Sequence, residues 1–143
     1  FDTRTLMLDT HFGFNSHEVD QIIVSLGDKG RNAYVFSMYS LDLLFPLIYV
    51  SLMLGVLSRL NPAVKFVYLL PIFAFMSDIL QNIQTSILIG THSSNKISTI
   101  QVAFASYTNQ IKWLLVLLVI IIILFLFSKK FFFYFRNSII DKN

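Results

Sequence analysis

The chain is 143 residues long, 55% hydrophobic and only 13% charged, with a net charge of +3 and a mean hydropathy of +0.68. A soluble domain has about a quarter of its residues charged, so this chain has too little polar surface to cover a globule, and part of its solvent is lipid. Cysteine is absent, which excludes disulfide frameworks, thiolate metal sites and cysteine nucleophiles.

The first residue is Phe1, not Met, and the expectation is that a signal peptide or an earlier membrane helix precedes it. Residues 1–33 have ordinary soluble composition, with Asp2, Arg4, Asp9, Glu18, Asp20, Asp28, Lys29 and Arg31 among them. Leu6, Met7, Leu8, Phe12 and Phe14 form an apolar run with no clear period. Asn15 or Ser16 suits a helix N-cap, and Glu18 follows Asn15 by three, as a capping box requires. Val19, Ile22, Ile23 and Leu26 then recur at helical spacing, which predicts an amphipathic helix over 16–26 outside the membrane. Its apolar stripe is expected on the membrane surface or on the outer end of a bundle. The stretch Gly27-Asp28-Lys29-Gly30 predicts a turn that ends it, because glycine accepts positive φ.

Three long apolar segments follow, at about 34–58, 64–89 and 97–128. Each reaches the roughly 20 residues that a helix needs to cross the hydrocarbon core. Asn61-Pro62 predicts a tight turn between the first two, and Gly90 to Asn95 a polar turn between the second and third. The fold class expected is all-α: a small transmembrane helical bundle with a short extramembrane amphipathic helix. Pro46 and Pro71 fall inside the predicted helices and are expected to kink them, with neighbouring groups satisfying the freed carbonyls. Residues 129–143 read as a basic and aromatic interfacial tail, with Phe131 to Phe135 as an anchor and Lys129 and Lys130 snorkelling.

Basic residues orient the chain. Arg59 and Lys65 flank the first turn, and Lys129, Lys130, Arg136 and Lys142 follow the third segment. The opposite side has Lys96 in its short loop and the mixed-charge N-terminal segment. This asymmetry puts the C-terminus on the cytoplasmic or matrix-type side, in a bacterial or mitochondrial inner membrane.

Asp42, Asp78, Asn82, Asn109 and Lys112 are polar residues within otherwise apolar segments. Asp42 lies 17 residues before Arg59, Asn82 lies 17 after Lys65, and Lys112 lies 17 before Lys129. At 1.5 Å per residue each spacing is about 25 Å. The three helices therefore carry polar groups at one height above the basic boundary, with Trp113 and Tyr49 close by. These residues are the candidate intramembrane polar network. It serves an ion, proton or head group, as intramembrane charges do at ligand pathways, or only helix registry, or else the helices extend beyond the bilayer there and the layer is simply wet.

Other motifs carry less. His11, His17 and His92 lack metal-ligand spacing. Gly27-x-x-Gly30 lacks the lysine and hydroxyl of a P-loop. Ser51 and Gly55 are a small-x-x-x-small pair that suits close helix approach, and Ala103, Ala105 and Ser106 suggest a tightly packed face on the third helix. Leu114 to Leu124 reads as lipid-facing, and no cofactor is expected.

The run Gly27, Gly30-Arg31, Tyr34, Asp42, Phe45-Pro46, Tyr49, Asp78, Asn82, Ala105-Ser106 and Lys112-Trp113 resembles small uncharacterised bacterial four-helix integral membrane proteins. In that pattern an acidic residue often precedes the asparagine, whereas Gln81 stands there in this chain. The resemblance implies a fourth helix before Phe1 and assigns no activity. Two functions follow from the sequence: a non-catalytic accessory or structural subunit of a larger membrane complex, or a small transporter, channel component or lipid-binding protein using Asp42, Asp78 and Lys112. The partners expected are membrane lipids and other integral membrane subunits or further copies of the chain, with no nucleic acid. An enzyme is the third reading, since no nucleophile or metal set is visible.

Overall fold

The computed structural model describes residues 8–91 and 98–140, all of whose regular elements are helical. A 3-10 turn at Leu8–Thr10 leads into α1 (Ser16–Leu60); a second 3-10 turn at Lys65–Tyr68 leads into α2 (Leu69–Thr91), which α3 (Thr99–Ile140) follows. Each of the three α-helices is long and apolar enough to cross a membrane. Most of the expected outer turn at Gly90 to Asn95 lies outside the described residues, as do His92, Lys96 and Lys142.

The start of α1 is fixed by a capping box. Asn15 has extended backbone, and its side chain accepts from the N–H groups of His17 at 2.9 Å and Glu18 at 3.1 Å. The Glu18 carboxylate in turn accepts from the Asn15 N–H at 2.9 Å. Two otherwise orphaned donors are thereby satisfied. The amphipathic stretch ends where glycine was expected to end it, at Gly27, whose φ of 59° and ψ of −177° are non-helical. The expected turn over 27–30 does not form. Helical backbone resumes at once, so the stretch before the first membrane span is helix and not loop. Gly30 lies close under the kink, where an added Cβ would meet the Leu26 side chain at 3.1 Å.

The kink folds the first arm of α1 back over the end of the bundle where α2 ends and α3 begins. Val19, Ile22 and Ile23 pack there against Leu88 and Ile89 of α2 and Val102 and Ala105 of α3. Leu8 and Phe14 complete this apolar core, while Phe12 is exposed and Leu6 and Met7 lie outside the described residues. The segment before α1 is tied down by polar contacts as well. The Leu8 N–H donates to the Tyr34 hydroxyl at 3.1 Å, and the Phe14 N–H donates to Ser106 Oγ at 2.9 Å.

The opposite end has the expected turn at Asn61 but departs from expectation at Pro71 and in the length of α3. Asn61 caps α1 in the left-handed region, with its N–H bonded to the Leu57 carbonyl at 2.9 Å. Pro71 is only the third residue of α2. A first-turn N–H has no intrahelical acceptor, so proline costs nothing there and does not kink an interior. The third helix does not end near residue 128 but continues to Ile140, through the basic and aromatic segment. Its 42 residues correspond to about 63 Å, roughly twice the hydrocarbon thickness.

The small-residue expectations divide. Ala105 and Ser106 are buried, but Ala103 is exposed. A Cβ on Gly55 would meet nothing within 4 Å, and Ser51 is exposed, so that pair mediates no close approach within the chain.

Candidate functional site

The interior between the membrane-crossing stretches is polar and the outside apolar. On α2, Ile72, Phe73, Met76, Leu80, Ile83 and Ile87 are exposed, while Ser77, Asp78, Gln81, Asn82, Gln84 and Thr85 are buried. Where the solvent is lipid, apolar burial gives no net drive between helices, and association rests on packing and interhelical hydrogen bonds.

The centre of this interior is an ion pair. Lys112 Nζ on α3 lies 3.3 Å from Asp78 Oδ1 on α2, with side-chain exposures of 8% and 9%. Such low exposure keeps bulk water from screening the pair. Each charge has further partners. Tyr49 of α1 donates its hydroxyl to Asp78 Oδ2 at 3.0 Å, and Lys112 donates to Gln81 Oε1 at 3.2 Å. Gln81 passes the polarity on, donating from Nε2 to Thr85 Oγ1 at 3.1 Å. The Lys112 ammonium also lies 5.4 Å from the centroid of the Trp113 ring, within cation–π range. Side chains from all three helices thus converge on Asp78 and Lys112.

Asn82 has a different task. Its Nδ2 donates to the backbone carbonyl of Asp42 at 2.8 Å. Residue 42 is four before Pro46, so its carbonyl is the one left without an intrahelical donor by the missing proline N–H. An asparagine from α2 therefore repairs the hydrogen bond that proline removes from α1. The expected depth match between Asp42 and Asn82 is realised as backbone repair rather than as side-chain pairing. The Asp42 carboxylate accepts from Ser37 Oγ at 3.4 Å and borders the space between α1 and α3.

Asn109 stands apart from the pair. Its Nδ2 donates to the His11 carbonyl, tying α3 to the segment before α1. Its Oδ1 is buried with no hydrogen-bond partner among the described residues, as is Gln84 Nε2. Thr108 and Ser77 link α2 to α3 nearby, with Ser77 Oγ donating to the Thr108 carbonyl at 2.8 Å.

A cleft of about 320 Å³ opens beside the ion pair, between α1 and α3. Asp42, Phe45, Pro46, Tyr49 and Met53 line it from α1, and Lys112, Trp113 and Val116 from α3. Asp78 and Asn82 of α2 form its floor, and Thr10 reaches it from the N-terminal segment. The α1 positions follow helical spacing, which puts them on one face. Two carboxylates stand against one ammonium, giving the lining a formal charge of −1. Aromatic faces and carboxylates together suit a cationic or zwitterionic group better than an anion. Sequence reasoning named the charged members of this lining, and Phe45 only as part of the family resemblance, but not Thr10, Met53 or Val116. Phe45 and Met53 were legible in principle, since they lie three and eleven residues from Asp42 on its helical face; Thr10 was not, because its segment has no period. Among the described residues no group of three or more His, Asp or Glu side chains is arranged to hold a metal ion. No protein-family model, curated protein or solved structure matches the chain.

Proposed function

We propose that the protein is a non-catalytic integral membrane protein that holds the polar end of a membrane-soluble molecule in the cleft between α1 and α3. The observation that carries this reading is the cleft itself. It sets an ion pair, a second carboxylate and aromatic faces beside apolar walls, at the level where the helices carry their polar residues. A lipid with a cationic or zwitterionic head satisfies both halves of that lining. The Asp78–Lys112 pair fixes the floor, and Asp42, Phe45 and Trp113 supply the recognition surface. The basic residues at the inner end favour an orientation with the C-terminus on the cytoplasmic or matrix-type side.

The second reading is an accessory or structural subunit of a larger membrane complex. It is favoured by α3, whose stretch from Leu114 to Tyr134 exposes most of its large side chains. Extraction in a gentle detergent, followed by a native gel and mass spectrometry, separates the two. The binding reading expects the chain alone or as a homo-oligomer with a retained lipid, and loss of that lipid in Asp42→Asn. Stoichiometric foreign subunits, with no retained lipid, overturn it in favour of the second.

A further inference from the structure

A second groove lies at the other end of the molecule, about 500 Å³ in volume, where the last turn of α1 meets the overhanging part of α3. Its walls are apolar and aromatic: Val56 and Leu60 from α1, and Phe127, Phe131 and Tyr134 from α3. Its polar members are two cations, Arg59 and Lys130. The groove is held in shape by Lys130, whose Nζ donates to the Arg59 carbonyl at 3.1 Å. That contact caps the C-terminal carbonyls of α1 with a positive charge, the favourable sign for a helix C-terminus.

Among the described residues the charge around the groove has one sign. Lys65, Lys129 and Arg136 lie within a few residues of its lining, and between residues 43 and 140 the sequence has a single carboxylate, Asp78. Asp78 is 13 residues from Lys65 along the chain, about 20 Å of helical rise, and is already paired with Lys112. Lys65 bonds Asn61 Oδ1 at 2.9 Å, and Arg136 stacks over the Phe133 ring. No anionic side chain among the described residues neutralises this end. The groove's apolar walls run back along α1 and α3 toward the membrane-crossing stretches, while Arg59 and Lys130 are exposed at its rim.

We infer that this groove is a binding site for an anionic phospholipid of the leaflet at the basic end, its phosphate on Arg59 and Lys130 and an acyl chain along Leu60, Phe127 and Phe131. Charge complementarity selects an anionic head, because a net-neutral lipid leaves the two-cation site at a net +2 whereas an anionic one lowers it. The aromatic walls select a lipid over a free phosphate, which has nothing to place against them. The site is independent of the cleft at the outer level, whose lining has the opposite formal charge.

The test is native mass spectrometry of the full chain in detergent, titrated with phosphatidylglycerol and phosphatidylcholine of identical acyl chains. Two cations near the head group predict a preference for phosphatidylglycerol of roughly thirtyfold. Arg59→Gln leaves the Lys130 contact to the backbone carbonyl in place and is expected to reduce that preference about fivefold. Lys129→Gln, a neighbour outside the lining, is expected to leave at least half of it. Circular dichroism checks that each variant keeps its helices; should Arg59→Gln lose them, Phe131→Ala takes its place, with weaker lipid retention expected. Equal retention of both lipids, equal effects of Arg59→Gln and Lys129→Gln, displacement of the lipid by glycerol phosphate alone, or occupation of the groove by an acidic protein segment each overturns the proposal.

Discussion

Pro46 and Asn82 make a pair that a mutational cycle can isolate. The Asn82 amide donates to the Asp42 carbonyl at 2.8 Å, and Asn82 is only 6% exposed. Replacing it with leucine removes the donor and strands that carbonyl away from water. Interhelical hydrogen bonds in membranes average about 0.6 kcal/mol and reach about 1.7, and an orphaned backbone acceptor in a dry environment adds to the loss. Asn82→Leu is therefore expected to cost about 2 kcal/mol. In a Pro46→Ala background the restored N–H of residue 46 takes over the carbonyl, and the same substitution is expected to cost about 0.5 kcal/mol or less. The coupling, about 1.5 kcal/mol, lies well above the additivity seen for independent sites. Reversible unfolding in mixed micelles, followed by far-ultraviolet circular dichroism across a dodecyl sulfate titration, measures all four proteins. Equal costs of Asn82→Leu in both backgrounds would refute the repair argument, because Asn82 would then stabilise the bundle by some route that ignores the proline.

Three further outcomes are expected. Lys112→Met leaves the Asp78 carboxylate buried against Tyr49 without its counter-charge and is expected to destabilise the bundle by about 3–5 kcal/mol, whereas Asp78→Leu combined with Lys112→Met recovers most of that loss in the same titration. Gly27→Ala puts a side chain into the left-handed region at the kink and is expected to cost about 1 kcal/mol, while Gly55→Ala, in an ordinary helical position with open space around it, is expected to be neutral or slightly stabilising. Asn15→Ala removes the capping box and is expected to weaken the first arm of α1 by about 1 kcal/mol, read as faster hydrogen exchange confined to residues 16–26.

The parts of the fold that were legible in the sequence are those governed by local chemistry. The capping box at Asn15 and Glu18 needs only a three-residue spacing, and the three spans need only apolar length. The depth count put Asp42, Asn82 and Lys112 at one height, with Asp78 about one turn nearer the basic boundary, because rise per residue is fixed. It did not say which would meet, since that depends on how each helix is rotated about its axis. Rotation brought Lys112 to Asp78 and turned the Asn82 side chain to the Asp42 backbone rather than its carboxylate. Proline at position 46 was visible, and its orphaned carbonyl at 42 follows by subtraction, but the donor across the interface did not. Gly27 and Gly30 both read as a turn, and only the backbone distinguishes the one that leaves the helix from the one that stays in it. The charged end of α3 looked like a tail because charge and aromatic residues mark an interface; nothing in Lys129 to Ile140 breaks a helix, and the structure keeps it.

The polar face of α2 bears on how the chain enters the bilayer. Of the three spans α2 is the least apolar and α3 the most. Presented alone to lipid, α2 would expose Asp78, Gln81 and Asn82 to hydrocarbon with no partner. Its stable residence thus depends on the neighbours that enclose those groups. Because α3 follows α2 in the chain, α2 waits for its ammonium partner until synthesis has passed Lys112. Biogenesis is then cooperative: the second span is committed only once the third arrives, and a chain truncated before Lys112 is expected to be recognised by membrane quality control as an unassembled helix.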